Sequence, residues 1–133
     1  MIVDSVSQDA LGFQAYYDLG AGILSKLAEA RIKDLKWQKE VASRKEKIAK
    51  LEVAIEVKAV EDAGGEKGLG PNQAARTRAL AAIKQGDASL LAAQDELRDS
   101  EKQMARNKIT IRTLEDQFSL VKATLYAMSG GTR

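Results

Sequence analysis

The chain has 133 residues, with 21 Lys and Arg against 19 Asp and Glu, so its formal net charge of +2 does not by itself mark a polyanion binder. It has no cysteine and no histidine, which removes disulfides, thiolate chemistry and the commonest general base, and leaves only carboxylates to hold a metal. A single proline, few aromatics and abundant Ala, Lys, Glu, Leu and Arg make up the composition of long helices, and the length allows one domain.

Met1 to Gly12 lacks a basic start and an unbroken apolar core, so no signal peptide is expected there. No apolar run approaches the ~20 residues that a membrane span needs, and a cytoplasmic location is expected. From about residue 10 to about residue 61 the sequence predicts a first long helix. Its apolar seam runs through Ile23, Leu27, Ala30, Asp34, Trp37, Val41, Arg44, Ile48, Leu51 and Ile55, a heptad pattern that keeps one stripe against a partner helix. Gly20 and Gly22 are read as a bend or as the true start of this helix. Trp37 is expected to fill volume opposite small residues such as Ala93 or Ser100. A second set of apolar residues lies away from the seam: Ala28, Ile32, Leu35, Ala42, Ala49, Val53, Val57 and Val60. A helix apolar on two sides is buried on two sides, so a homo-oligomer is expected, with Leu35, Ala42 and Val53 in its interface.

The strong break is Glu61 to Asn72, EDAGGEKGLGPN, placing a glycine-rich turn at about 62–71. The stretch GGEKGLG invites comparison with phosphate-binding loops. No strand precedes it and no Gly-Lys-Ser/Thr follows, so it reads as a hairpin turn. Asn72 suits a helix cap, and Arg76, one turn further on, can reach back to loop carbonyls. A second helix is predicted from about 72 to about 128, with an unbroken seam at Ile83, Leu90, Leu97, Met104, Ile111, Phe118 and Leu125. Four residues before each stand Ala79, Gly86, Ala93, Ser100, Asn107, Leu114 and Val121. With the turn centred near Lys67, residue i is expected to face residue 134 − i. The basic run Lys33 to Lys47 then lies opposite an acidic run that includes Asp95, Glu96, Asp99 and Glu101. The fold class is therefore all-α: one long antiparallel helical hairpin, residues 1–133, assembling into a dimeric or higher helical bundle.

Chemistry is hardly written in this pattern. Paired carboxylates such as Asp95 with Asp99 and Glu115 with Asp116 suit exposed helix faces, so neither an enzyme nor a cofactor nor a metal is expected. Outward-facing Lys36, Lys39, Lys50, Lys102 and Arg106 are the candidate contacts to a nucleic-acid backbone, weighed against simple solvation of the bundle. Lys67 to Ile83, KGLGPNQAARTRALAAI, resembles a motif in small coiled-coil hairpin proteins of bacteriophages and prophages. Their turn has the form Gly-x-Asn-x-x-x-Arg before an alanine- and leucine-rich helix; here Gly70, Asn72 and Arg76 match, with Leu69 before them. The similarity covers about 20 residues, and this chain departs from it in a longer first helix and in an extension bearing Phe13, Tyr16 and Tyr17. The resemblance implies a non-enzymatic accessory role in phage DNA recombination or replication, in the host cytoplasm, with single-stranded DNA or a recombination protein as partner. The alternatives are a protein-binding scaffold or chaperone for secretion or virion assembly, and an inhibitor that sequesters a ligand between subunits.

Overall fold

A computed structural model describes residues 2–130, with side chains placed from Gly12 onward. Helix α1 runs from Ile2 to Asp62, a 3-10 turn spans Glu66–Gly68, α2 covers Gln73–Gln85 and α3 covers Ala88–Met128. No strand occurs among the described residues. The chain is an all-helical antiparallel hairpin, with α1 as one arm and α3 as the main part of the other. Its contacts divide into two compact units: a terminal unit of residues 1–36 and 104–133, and a turn unit of residues 37–103.

In the terminal unit the heptad seam becomes a core. Ile23, Leu27 and Ala30 on α1 are buried against Leu114 and Val121 on α3, with Ile111, Phe118 and Leu125 packed beside them. Gly20 is also buried, and a Cβ there would stand 3.3 Å from Val121 Cγ1 and 3.8 Å from Phe118. Gly20 therefore neither bends nor starts the helix: α1 passes through it, and the missing side chain lets α3 come close. One polar group fixes the level of the two helices, because Asn107 Nδ2 donates to the Ala30 carbonyl at 2.8 Å. A polar residue on an otherwise apolar seam specifies register in this way.

In the turn unit the buried seam is Val41 and Ala59 on α1, and Leu90, Ala93 and Ser100 on α3. Trp37 sits half-buried on the same stripe. Leu90 is only 2% exposed, and burial on that scale stabilises by about 1.5–3 kcal/mol. Arg44 takes a seam position and resolves its charge sideways. Its Nη2 donates to Glu40 at 2.6 Å and its Nη1 to Glu96 on α3 at 2.8 Å. Lys47 approaches the same Glu96 carboxylate at 3.6 Å, and Lys84 pairs with Glu56.

Three expectations are corrected. The second arm is not one unbroken helix: α2 ends at Gln85 and α3 starts at Ala88. The Gly86 N–H bonds back to the carbonyls of Ala82 and Ile83, and Asp87 Oδ1 accepts the Leu90 N–H at 2.8 Å, so a glycine stop and an aspartate cap stand side by side. Ile83, assigned to the seam, is 42% exposed, and the buried stripe begins at Leu90. Helix α1 starts at Ile2 and not near residue 10, since nothing before Gly12 interrupts it. Register is the third. Arg44 meets Glu96 and Glu56 meets Lys84, pairs whose numbers add to 140 and not 134. The reversal is centred near Gly70 because the 3-10 turn and the approach to Asn72 carry the chain past the end of α1 before α2 begins.

The two neighbouring glycines of α1 separate packing from propensity. A Cβ on Gly22 would meet nothing within 4 Å, whereas one on Gly20 would face Val121. Gly22→Ala should stabilise the protein by roughly 0.5–1 kcal/mol through helix propensity. Gly20→Leu should cost about 1–3 kcal/mol by overpacking. Chemical denaturation of the two variants, followed by circular dichroism, checks the opposite signs.

Candidate functional site

The turn holds the best-defined cluster of polar side chains. Asn72 has extended backbone, and its Oδ1 accepts the Ala75 N–H at 2.8 Å, capping α2. Arg76 reaches back: Nε donates to the Gly70 carbonyl at 3.1 Å, and Nη1 lies 3.7 Å from Glu66. A Cβ on Gly70 would come within 2.7 Å of Ala75 Cβ, so the residue must be glycine for the chain to pass this close to α2. Gly65 adopts φ +126, a conformation that side chains disfavour, and a Cβ on Gly68 would overlap the Ala63 carbonyl. Gly70, Asn72 and Arg76 thus form one device that closes the turn through the Asn72 cap and the reach of Arg76 back to the Gly70 carbonyl.

Beside this device, a groove of about 480 Å³ opens between the end of α1 and α2. Val57, Val60, Leu69 and Leu80 give it an apolar floor, and Glu56, Glu61, Glu66 and Arg76 a charged rim. The size falls in the range of small-molecule sites. Yet Glu56 is held by Lys84 and Glu66 by Arg76, so the rim is largely committed to the fold. Among the described residues no group of His, Cys, Asp or Glu is arranged to hold a metal ion. No helix is long and apolar enough to cross a membrane, again among the described residues. The Arg44 guanidinium is raised above its ordinary pKa, chiefly by its hydrogen bond to Glu40.

The five cations singled out for phosphate contact are all exposed. Lys36 and Arg106 belong to the terminal unit; Lys39, Lys50 and Lys102 belong to the turn unit. Lys39 and Lys50 stand eleven residues apart on α1, about 16 Å of helix rise. Lys50 is engaged by Glu46 at 3.1 Å, while the other four have no ion pair among the described residues.

The apolar face of α1 is open in both units. In the terminal unit Leu24, Ile32 and Leu35 are 47%, 56% and 58% exposed; in the turn unit Val53 and Val57 are 60% and 51% exposed, and Ala42 is exposed as well. Around the chain termini Phe13, Tyr16, Tyr17, Leu19 and Tyr126 are also substantially exposed. Sequence reasoning found this face from helical periodicity. It missed Asp87 as a cap, although Gln85-Gly86-Asp87 carries the signal of a glycine stop followed by an aspartate start. It also gave no role to Asn107, a polar residue on an apolar seam, or to the close approach at Gly20. Comparison with known protein families, with curated proteins and with solved structures gives no match to this chain.

The turn geometry sets a graded expectation. Asn72→Ala should cost about 1 kcal/mol by leaving the first turn of α2 uncapped. Gly70→Ala should cost more, about 1–3 kcal/mol, because a backbone contact must open. Thermal melts of the two variants check the order, and equal, negligible losses would mean that the turn closes by other contacts.

Proposed function

We propose that this protein is a non-enzymatic helical-hairpin interaction module that acts as a homo-oligomer and offers its remaining surface to a protein partner. The observation that carries this reading is the apolar face of α1, where Ile32, Leu35, Val53 and Val57 are each more than half exposed and Ala42 lies open between them in sequence. Large apolar side chains repeated on the face away from a helix's own seam mark a surface that another helix covers. The absence of histidine and cysteine, and the commitment of the turn's polar groups to one another, fit a binding role better than a catalytic one. Light scattering should give a mass that is a multiple of 14.4 kDa. Leu35→Glu together with Val53→Glu should lower that mass while leaving helical circular dichroism largely intact. A monomer mass for the unsubstituted protein at micromolar concentration removes the reading.

A second reading, contact with single-stranded DNA in phage-type recombination or replication, is favoured by the exposed cations Lys36, Lys39, Lys102 and Arg106, which have no ion pair among the described residues. Affinity carried by phosphates falls by ~0.7 log units per tenfold salt for each phosphate neutralised on a single strand. Lys36→Gln with Lys39→Gln should flatten the salt dependence of binding to a labelled oligonucleotide without moving the thermal melt. A flat titration at ~0.1 M salt, where exposed charges are largely screened, retires DNA contact and leaves the protein-binding reading.

A further inference from the structure

Within the terminal unit α1 carries a second ladder, separate from the buried seam. Tyr17, Ala21, Leu24, Ala28, Arg31 and Leu35 follow one another at intervals of four and three residues, and all six are exposed. That spacing draws one continuous stripe along a helix, as in a coiled-coil seam. Large and small residues alternate along its first part: Tyr17, Ala21, Leu24, Ala28. Tyr17 and Leu35 at the two ends are 57% and 58% exposed.

The ladder's spacing of four and three residues lets an antiparallel copy meet it rung for rung. Turned end for end about its midpoint, residue i is replaced by residue 52 − i, and all six members map onto members of the same set. Tyr17 exchanges with Leu35, Ala21 with Arg31, and Leu24 with Ala28. We propose that the stripe Tyr17–Leu35 is covered by the same stripe of a second copy, running antiparallel about a two-fold axis at the level of residue 26. This rests on the self-association reading above and places the contact in the terminal unit, where Leu35 belongs to both surfaces, while Val53 and Val57 lie outside it.

Size and charge both favour the antiparallel sense. Antiparallel pairing sets each Leu24 against the partner's Ala28, large into small, twice per dimer. It lays each Arg31 stem over the partner's Ala21, one helical turn from the partner's Asp18. Among the described residues Arg31 has no ion pair, and Asp18 accepts a hydrogen bond from Gln14 of its own helix at 2.8 Å. Opposite charges thus meet at two symmetric places. A parallel arrangement in register would face Arg31 with Arg31 and set alanine against alanine, leaving both repulsion and voids. The surface beside the ladder fits as well. Tyr17, Ala21 and Leu24 line an apolar cleft of about 180 Å³ with Phe118, Lys122 and Leu125 of α3, and the antiparallel dimer brings the partner's Leu35 to its mouth. An isologous contact of this kind closes on itself and stops at a dimer.

The absence of cysteine makes the test clean. Leu24→Cys and Ala28→Cys chains are prepared separately, checked by circular dichroism and sedimentation, and oxidised alone and as an equimolar mixture. A disulfide needs Cβ atoms roughly 3.5–4.5 Å apart, and a four-residue stagger displaces a site by about 6 Å along the helix. The antiparallel ladder predicts that the mixture forms the mixed disulfide at least tenfold faster than either chain forms its homodisulfide. Faster homodisulfides than mixed ones would establish the parallel sense and overturn the proposal. A dimer that forms neither would mean that the copies meet elsewhere, which overturns the ladder while leaving self-association standing. A monomer in sedimentation before oxidation overturns both. As a second measurement, Arg31→Asp should weaken the dimer about tenfold, and adding Asp18→Arg in the same chain should restore it; restoration is not expected if the two residues never meet.

Discussion

Everything else in this protein depends on the antiparallel seam between α1 and α3. An isolated helix in water draws little stability from its own hydrogen bonds and gains most of it from burying one face. Here Ile23, Leu27 and Ala30 in the terminal unit, and Val41 and Ala59 in the turn unit, are buried where α1 meets the second arm. The seam is built from large residues set against small or polar ones: Gly20 beneath Val121, Ala30 beside Asn107, with Ala93 and Ser100 fully withdrawn from solvent. Small residues bring the backbones close, and close backbones are what allow Asn107 to reach a main-chain carbonyl on α1. The charged pairs at the margins, Arg44 with Glu96 and Lys84 with Glu56, join cations that are only about a quarter exposed to half-exposed carboxylates on the facing arm and so help set the register.

How much of this could be read from the sequence follows from which forces are periodic. The heptad positions of α1 from Ile23 to Ile55 are all buried or half-buried, because a period of seven is a property of one helix and needs no knowledge of the other. The same count along the second arm runs correctly from Leu90 to Leu125 and fails at Ile83. There the pattern of apolar residues continues through a place where Gly86 and Asp87 stop one helix and start another; local capping overrides periodicity. Register was the hardest quantity. It depends on how far the turn carries the chain, and that distance is set by contacts such as Arg76 on Gly70 and the fold of Gly68 against Ala63, none of which a composition of glycines specifies. Of the proposed surfaces, the exposed apolar face was legible because it is the complement of the seam. The outward direction of the five cations was legible in the same way, since heptad position says that a side chain points outward, and all five are exposed.

The turn and the arms divide their roles. At the turn Asn72, Arg76 and Glu66 serve the fold, and the nearby groove inherits a rim in which Glu56 and Glu66 are already held by internal pairs. Along α1 the reverse holds: the polar and apolar groups on the outer face are largely uncommitted. A surface that is both apolar and uncommitted carries an energetic cost unless a partner covers it, and this places the interest of the molecule on the outside of α1 and not in any cleft. The alternation of Tyr17, Ala21, Leu24 and Ala28 repeats on that outer face the large-against-small logic of the inner seam, so one packing rule serves both the hairpin and the association proposed for it.

The register of the hairpin is the claim from which these surfaces are derived, and it can be tested on the unsubstituted protein. A carbodiimide joins a lysine to a carboxylate only where the two are in direct contact, and mass spectrometry of the digested chain reads the joined residues. The structure predicts links between Lys84 and Glu56 and between Lys47 and Glu96 within one chain, the latter pair being 3.6 Å apart. A mixture of isotopically light and heavy protein separates links within a chain from links between chains. Links from Lys47 to Asp87, the partner expected if the reversal centred near Lys67, would contradict the register and with it the assignment of the inner and outer faces of the second arm.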